Sequence, residues 1–162
     1  MDSERLGSLV DRLADALALY ARQWCDQPED VVQEVFVKLA AQPAVPDNAT
    51  AWLFRAVRNG AINAGIARRR RSRHEAEAAA KAPAWFEPEL SARQSATVDP
   101  ETAQAALESL PVEQREVIVA HLWGGLTFEQ VAALAGTSAS TAHRLYHAGL
   151  VALRERLGVP CR

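Results

Sequence analysis

The chain has 162 residues, is 49% hydrophobic and carries a formal net charge of −2, so it can fold as one medium domain or two small ones with an apolar core. Its first residues are amphipathic and charged, which argues against a signal peptide, and no apolar run approaches membrane-spanning length. The two cysteines, Cys25 and Cys161, lie far apart and indicate neither a disulfide framework nor a zinc site. We therefore expect a cytoplasmic protein without membrane insertion.

The charge is unevenly distributed along the chain. Residues 1–47 contain 4 basic and 9 acidic side chains, whereas residues 52–74 contain 7 basic and no acidic ones. Both segments that follow, 75–100 and 101–162, are slightly acidic. A single basic segment in an acidic chain indicates nucleic-acid contact better than the average charge does.

The first two predicted helices are amphipathic. Apolar residues recur at every third or fourth position from about Ser3 to Trp24 and predict a helix with one core-facing side. Asp26 is the predicted N-cap of a second helix, which carries Pro28 in its first turn. The polar face of that helix consists of Asp30, Gln33, Glu34 and Lys38. This face is either solvated or a docking surface for a partner.

A third predicted helix starts near Asn48 or Thr50 and contains the basic segment. Its head carries Trp52 and Phe54, a mixture that suits phosphate contact combined with stacking on unpaired bases. The alternative assigns both aromatic residues to the core and the arginines to a solvated helix end. The polar side of the helix and its basic end comprise Arg55, Arg58, Asn59, Asn63, Arg68, Arg69, Arg70 and Arg71. Gly60 and Gly65 predict close packing, a kink or a short break.

Residues 75–98 have no sustained apolar stripe and are predicted to form a linker. The linker nevertheless contains three large apolar side chains, Trp85, Phe86 and Leu90, which we expect to dock on a domain or a partner. After it, one helix is predicted from Asp99 to about Leu110, and a second from Pro111 to the glycines at 124 and 125.

The stretch 126–145 is predicted to form two short helices joined by a tight turn. Thr127 and Gln130 have capping-box spacing, Gly136 supplies the backbone freedom of the turn, and Ser138 caps the second helix. This pattern is typical of a helix-turn-helix, although an ordinary αα-hairpin would share it. The second helix carries only one permanent charge, Arg144, on its outer face, so the domain should bind DNA weakly alone.

Two blocks of the chain together resemble one family. The N-terminal segments DQPEDVVQEVFVKLA and AWLFRAVRNGAINAGIARRRR resemble the polymerase-binding and promoter-melting region of bacterial RNA polymerase sigma factors. The segment LESLPVEQREVIVAHLWGGLTFEQVAALAGTSASTAHRLYHAGLVALRERL is similar to their C-terminal promoter-binding region. The order of the two blocks, their spacing and the short linker resemble those of the small extracytoplasmic-function (ECF) group. The resemblance implies an all-α fold with a region 2-like domain (1–74), a linker (75–98) and a region 4-like helix-turn-helix domain (99–162).

The resemblance also implies a role for each face. The residues that would dock on the clamp helices of the largest polymerase subunit are Asp30, Gln33, Glu34 and Lys38. Those that would read and hold the melted −10 element are Trp52, Arg55, Arg58, Asn59, Asn63, Arg68, Arg69, Arg70 and Arg71. Those that would meet the −35 duplex are Thr127, Ser138, Ser140, Thr141, His143, Arg144 and His147.

Core RNA polymerase and promoter DNA are the implied partners, and members of the family are often held inactive by an anti-sigma protein. The linker would run along the polymerase toward its active-site and RNA-exit channels. The chain departs from the family pattern at Asn63, where an acidic residue is usual, and has fewer basic residues in and after the recognition helix. The residue at Asn63 bears on which −10 sequence the protein prefers, and the small number of basic residues bears on how strongly it contacts the −35 element.

The residues give little support to catalysis. His143 and His147 share a helix face, but the Glu of an HExxH zinc hydrolase is missing, and we expect no metal and no cofactor. One alternative is a stand-alone helix-turn-helix regulator with an N-terminal sensing or dimerisation domain. Another is a helical interaction module with vestigial DNA contacts. Binding to core polymerase separates the sigma-factor hypothesis from both.

Overall fold

The computed structural model describes residues 3–79 and 100–158, and within these ranges the secondary structure is helical with no strand. The elements are α1 (Ser3–Ala21), α2 (Pro28–Ala40), α3 (Ala49–Ala79), α4 (Pro100–Glu108), α5 (Val112–Ile118), a π-helical turn (Val119–Trp123), α6 (Phe128–Ala135) and α7 (Ala139–Leu157). The all-α prediction is confirmed. No helix in the described ranges is both long and apolar enough to cross a membrane.

The N-terminal domain consists of α1, α2 and α3, each of which packs against the other two. Each helix buries one apolar stripe, and Leu17, Leu39 and Leu53 are inaccessible to solvent. Burying a side chain of this size stabilises the fold by about 1.5–3 kcal/mol. The predicted core face of the first helix is thus confirmed, although α1 ends at Ala21 rather than at Trp24.

The beginnings of α2 and α3 differ in how they are capped. The prediction that Asp26 caps α2 is wrong: Gln27 occupies the N-cap without a side-chain hydrogen bond, and Asp26 pairs with Arg68 of α3. Because the Asp26 carboxylate pairs with the Arg68 guanidinium, it does not accept a hydrogen bond from the first turn of α2. At α3 the Asn48 Oδ1 accepts a hydrogen bond from the Ala51 N–H at 2.9 Å, so Asn48 caps a helix that begins at Ala49, between the two predicted starts near Asn48 and Thr50.

The helix α3 continues without a break to Ala79, and its two glycines mark close packing. A Cβ atom at Gly60 would lie 2.9 Å from Val31 Cγ1, and one at Gly65 would lie 2.1 Å from the Trp24 carbonyl oxygen. Of the outcomes predicted for these glycines, close approach of neighbouring chain is the one observed. The predicted docking residues Trp85, Phe86 and Leu90 lie outside the described residues, as does Cys161.

The C-terminal domain packs α7 against α4, α5 and α6. Thr127 Oγ1 accepts from the Gln130 N–H at 3.3 Å, and Gln130 Oε1 accepts from the Thr127 N–H at 2.9 Å, which completes the capping box. Gly136 has a positive φ of 70°, and Ser138 Oγ accepts from the Thr141 N–H at 3.2 Å. The helix-turn-helix prediction is confirmed in its caps and its turn.

The helix predicted from Pro111 changes character before its end. It is α-helical only to Ile118, and the π-helical turn follows, where the Gly124 N–H donates to the Val119 carbonyl five residues back. Gly124 is where this turn meets the N-terminal domain, since a Cβ atom there would lie 2.6 Å from the Phe54 ring. The cores of the two domains are therefore continuous in this arrangement.

Candidate functional site

The polar face of α2 is open to solvent. Its apolar stripe is buried against α1 and α3, so the opposite side of the helix presents Asp30, Gln33, Glu34 and Lys38, all exposed. Lys38 Nζ lies 2.8 Å from Glu34 Oε1, an exposed pair worth about 0.3–0.5 kcal/mol. Because so weak a pair is easily exchanged, both side chains remain available to a partner.

An apolar groove with an accessible volume of about 580 Å³ runs between α1 and α2 beside this face. Val10, Leu19, Val32 and Phe36 line it, and Gln33 of the polar face stands at its edge. Apolar surface with a polar rim is the usual composition of a protein–protein interface. The region is therefore suited to a protein partner.

The predicted −10 residues in the first half of α3 fall into two groups by solvent exposure. Arg55, Asn59 and Asn63 recur every four residues and are exposed on one face, whereas Arg58 is half-buried. Trp52 is also half-buried. Phe54 is fully buried, so the interpretation of Phe54 as a base-stacking residue is wrong and its assignment to the core is confirmed.

The basic end of α3 lines an open cleft with an accessible volume of about 840 Å³. Arg68, Arg69 and Arg71 contribute to its wall, together with Trp24 and Ser72. The ion pair of Arg68 with Asp26 is exposed, while Arg70 is exposed outside the cleft lining. Several guanidinium groups near an aromatic ring provide what a phosphate backbone with unpaired bases needs.

Arg58 of α3 is joined to Glu116 of α5 across the two domains. Its Nε donates to Glu116 Oε1 at 2.7 Å, and the Tyr20 hydroxyl donates to the same oxygen at 2.6 Å. The Arg58 guanidinium carbon also lies 5.6 Å from the centre of the Trp24 ring, within cation–π range. We call Tyr20, Arg58 and Glu116 the interdomain triad.

Tyr20 and Glu116 of the triad are buried while Arg58 is half-buried, and the pKa values of Arg58 and Tyr20 reflect this burial. Glu116 is only 4% exposed. Burial would lower the pKa of Arg58, but the hydrogen bond and charge of Glu116 outweigh it, and the pKa is raised. Burial, reinforced by the Glu116 carboxylate, raises the pKa of Tyr20 far above its ordinary value. The phenol therefore keeps its proton and remains a donor.

Sequence reasoning missed Glu116, although a signal was present. Glu116 stands three and four residues before Val119 and Ala120, and this helical spacing places a carboxylate on the buried side of α5. A charged residue on a buried face requires a partner. That partner, Arg58, is 58 positions away along the chain, so the pattern could have indicated the need but not the pairing.

The outer face of α7 presents the predicted recognition residues. Ser140, His143, Arg144 and His147 are exposed, and Thr141 is half-buried. The Nε2 atoms of the two histidines lie 3.0 Å apart, so one ring donates a hydrogen bond to the other. Thr127 and Ser138, which complete the predicted set, are exposed at the two helix beginnings, and their hydroxyls accept the capping bonds. In the described part of the chain, no three potential ligands come together around a metal position.

Comparison with known families gives two matches in the predicted order. The sigma-70 region 2 family matches residues 9–74, and the sigma-70 region 4 family matches residues 101–153. The ECF RNA polymerase sigma factor EcfG of Rhodopseudomonas palustris (strain TIE-1) is 31% identical over 121 residues. That alignment covers 72% of this chain and 63% of the length of EcfG. The resemblance seen in the sequence is thereby confirmed.

Two solved structures share the fold over nearly the whole chain. The sigma factor RpoE from Bartonella quintana, in complex with the anti-sigma factor NepR, superposes with a TM-score of 0.68 at 24% identity, covering 98% of this chain and 99% of RpoE. CnrH in complex with the cytosolic domain of CnrY gives a TM-score of 0.56 at 24% identity, covering 99% of this chain and 92% of CnrH. At this identity the likeness shows a common architecture.

Proposed function

The chain belongs to the ECF group of the sigma-70 family, and from this premise we propose that it binds core RNA polymerase and directs promoter recognition, DNA melting and transcription initiation. The observation that carries the proposal is the presence of both sigma-70 regions, in order, on one chain. The exposed polar face of α2 and the basic segment on α3 are consistent with it. We propose residues 1–74 as the polymerase-binding and −10 domain, 75–98 as the linker and 99–162 as the −35 domain.

The docking surface for polymerase is the α2 face made of Asp30, Gln33, Glu34 and Lys38. Its exposure and the apolar groove beside it support this assignment. In the family the docking partner is the pair of clamp helices of the largest subunit. Since core polymerase is cytoplasmic, we place the action of the protein in the cytoplasm.

The −10 surface combines the exposed side of α3 with the cleft at its basic end. Arg55, Asn59 and Asn63 would meet bases and phosphates of the melted strand, and the arginines 68–71 would hold the backbone. Trp52 is half-buried at the head of α3 and is proposed as the base-stacking residue of this surface. Arg58 belongs to this surface by its position on α3, once it is free of Glu116.

The −35 surface is the outer face of α7, with the capped beginnings of α6 and α7 toward the phosphates. Arg144 is the permanent charge on this face. Because phosphate neutralisation dominates DNA affinity, we expect the −35 contact to be weak unless polymerase brings the domain to its site. An anti-sigma protein is a proposed regulator, supported by the RpoE–NepR complex that shares this fold.

In vitro transcription from a pool of genomic fragments, with purified core polymerase and this protein, tests the proposal. Wild type should give defined transcripts, and Arg55→Ala/Asn59→Ala should reduce strand opening, detected by permanganate reactivity of unpaired thymines. The matched control is Arg154→Ala, an exposed arginine on α7 of the other domain. Absence of transcripts, together with tight duplex binding by the protein alone, would establish a stand-alone regulator instead.

A further inference from the structure

We propose that Glu116 is an intramolecular competitor of promoter DNA for Arg58, so that the interdomain triad and the −10 contact of Arg58 exclude each other. The inference rests on the proposed function, since it takes Arg58 as part of the −10 surface. It adds a residue of the C-terminal domain that controls when this surface is complete.

The chemistry of the contact supports competition. A carboxylate oxygen at 2.7 Å from a guanidinium nitrogen makes the charge-assisted hydrogen bond that a phosphate oxygen would make. Arg58 has one guanidinium group, half-buried between Trp24 and Glu116. A phosphate can take the place of the carboxylate only if Glu116 withdraws.

The withdrawal of Glu116 is a movement of the whole domain. Tyr20 and Arg58 belong to the N-terminal domain and Glu116 to α5, so the acid of one domain occupies two donors of the other. Around the triad the contact is apolar, with Gly124 against the Phe54 ring. Separating the domains therefore breaks the ion pair and exposes apolar surface together.

Promoter geometry requires that separation. By the positions in their names, the −10 and −35 elements lie about 25 base pairs apart, which is about 85 Å at 3.4 Å per base pair. Domains that share a 2.7 Å ion pair cannot occupy both positions at once. The 20 residues between Ala79 and Pro100 could span at most about 70 Å when fully extended. Together with the widths of the two domains, this length lets the domains reach the −10 and −35 elements at the same time. Binding both elements thus removes Glu116 from Arg58.

The test uses the full chain and a fluorescent single-stranded DNA of about 12 nucleotides of mixed sequence, a length an ssDNA groove can hold. Glu116→Gln keeps the side-chain volume but removes the charge. It should raise affinity for this DNA about tenfold, since a hydrogen bond with a charged partner contributes about 1.4 kcal/mol more than a neutral one, which is a factor of ten. Glu116→Ala should raise the affinity further. The control is Glu113→Gln, an exposed acid on the same helix, which should leave the affinity unchanged.

Small-angle scattering and a second substitution separate the outcomes. Both Glu116 variants should increase the radius of gyration of the free protein. Circular dichroism checks that each variant remains helical. If Glu116→Ala loses helicity, Tyr20→Phe replaces it, because it removes only one hydrogen bond to Glu116. On the Glu116→Gln background, Arg58→Ala should abolish the gain in affinity. A Glu116→Gln protein with unchanged affinity would overturn the competition. A gain that survives Arg58→Ala would also overturn it and remove Arg58 from the −10 surface, without affecting the polymerase-binding test.

Discussion

At the level of single residues, Gly65 shows how closely α3 approaches the turn after α1. The missing side chain leaves room for the Trp24 carbonyl, and a Cβ atom would lie 2.1 Å from that oxygen. The atom in the way is backbone, so no rotamer change can relieve the clash. The same turn carries Asp26 to Arg68 and places the Trp24 ring beside Arg58.

We predict that Gly65→Ala lowers the free energy of unfolding by about 1–3 kcal/mol, the usual cost of overpacking. Urea denaturation followed by circular dichroism measures it. Gly7→Ala on α1 is the matched control, because nothing lies within 4 Å of its Cβ position; it should stabilise the protein by up to about 1 kcal/mol through helix propensity. Equal unfolding midpoints for the two variants would contradict the packing described for Gly65.

Residue roles could be predicted from the sequence only where they depend on near neighbours. The pattern correctly placed the four polar residues proposed for docking on one exposed face of α2, because helical spacing alone decides this. The cap assigned to Asp26 was wrong, since its partner Arg68 lies 42 positions further on. Contacts of such long range are set by tertiary packing and leave no local pattern.

At the level of secondary-structure elements, the capping box fixes the start of α6. Thr127→Ala removes the hydroxyl that accepts the Gln130 N–H, and we predict a loss of about 1 kcal/mol of stability. Thermal unfolding of Thr127→Ala beside Thr127→Ser measures it, with the serine variant close to wild type because it retains the oxygen. An alanine variant as stable as the serine variant would show that the cap does not stabilise the domain.

The recognition helix α7 should bind DNA with little dependence on salt. Each phosphate neutralised contributes about −0.9 to the slope of log affinity against log salt, and the outer face has one permanent charge, Arg144. We predict that Arg144→Ala makes the slope of log affinity against log salt for −35 duplex binding shallower by about 0.9. Anisotropy titrations across a salt series measure it, with Arg154→Ala, an exposed residue near the end of α7, as the control. An unchanged slope in Arg144→Ala would remove Arg144 from the −35 contact.

The helix-turn-helix was predicted correctly from the sequence, whereas the π-helical turn that precedes it was not. Thr127, Gly136 and Ser138 act through bonds within a few residues, so their types and spacing were sufficient. The π-helical turn at Val119–Trp123 depends on a distant contact, because Gly124 packs against Phe54 of the other domain. Nothing in the local composition distinguishes this turn from ordinary helix.

At the level of the whole molecule, the two domains share one arrangement in which the interdomain triad joins them. The α2 docking face stays exposed in it, whereas Arg58 of the −10 surface is paired with Glu116. Under the proposed function, core polymerase would therefore meet the α2 face before the domains separate. The sequence predicted two domains and their order, but their mutual contact depends on a buried acid that no motif contains.

Direct binding of core RNA polymerase to the fluorescently labelled protein tests the central claim, that this chain acts as a sigma factor through the α2 face. Wild type should bind core polymerase with nanomolar affinity, typical of a specific and stable complex. Asp30→Ala/Glu34→Arg should weaken binding at least tenfold, whereas Asp11→Ala/Glu4→Arg, exposed acids on α1, should bind as wild type does. Failure of wild type to bind, or equal binding by both double variants, would contradict the account.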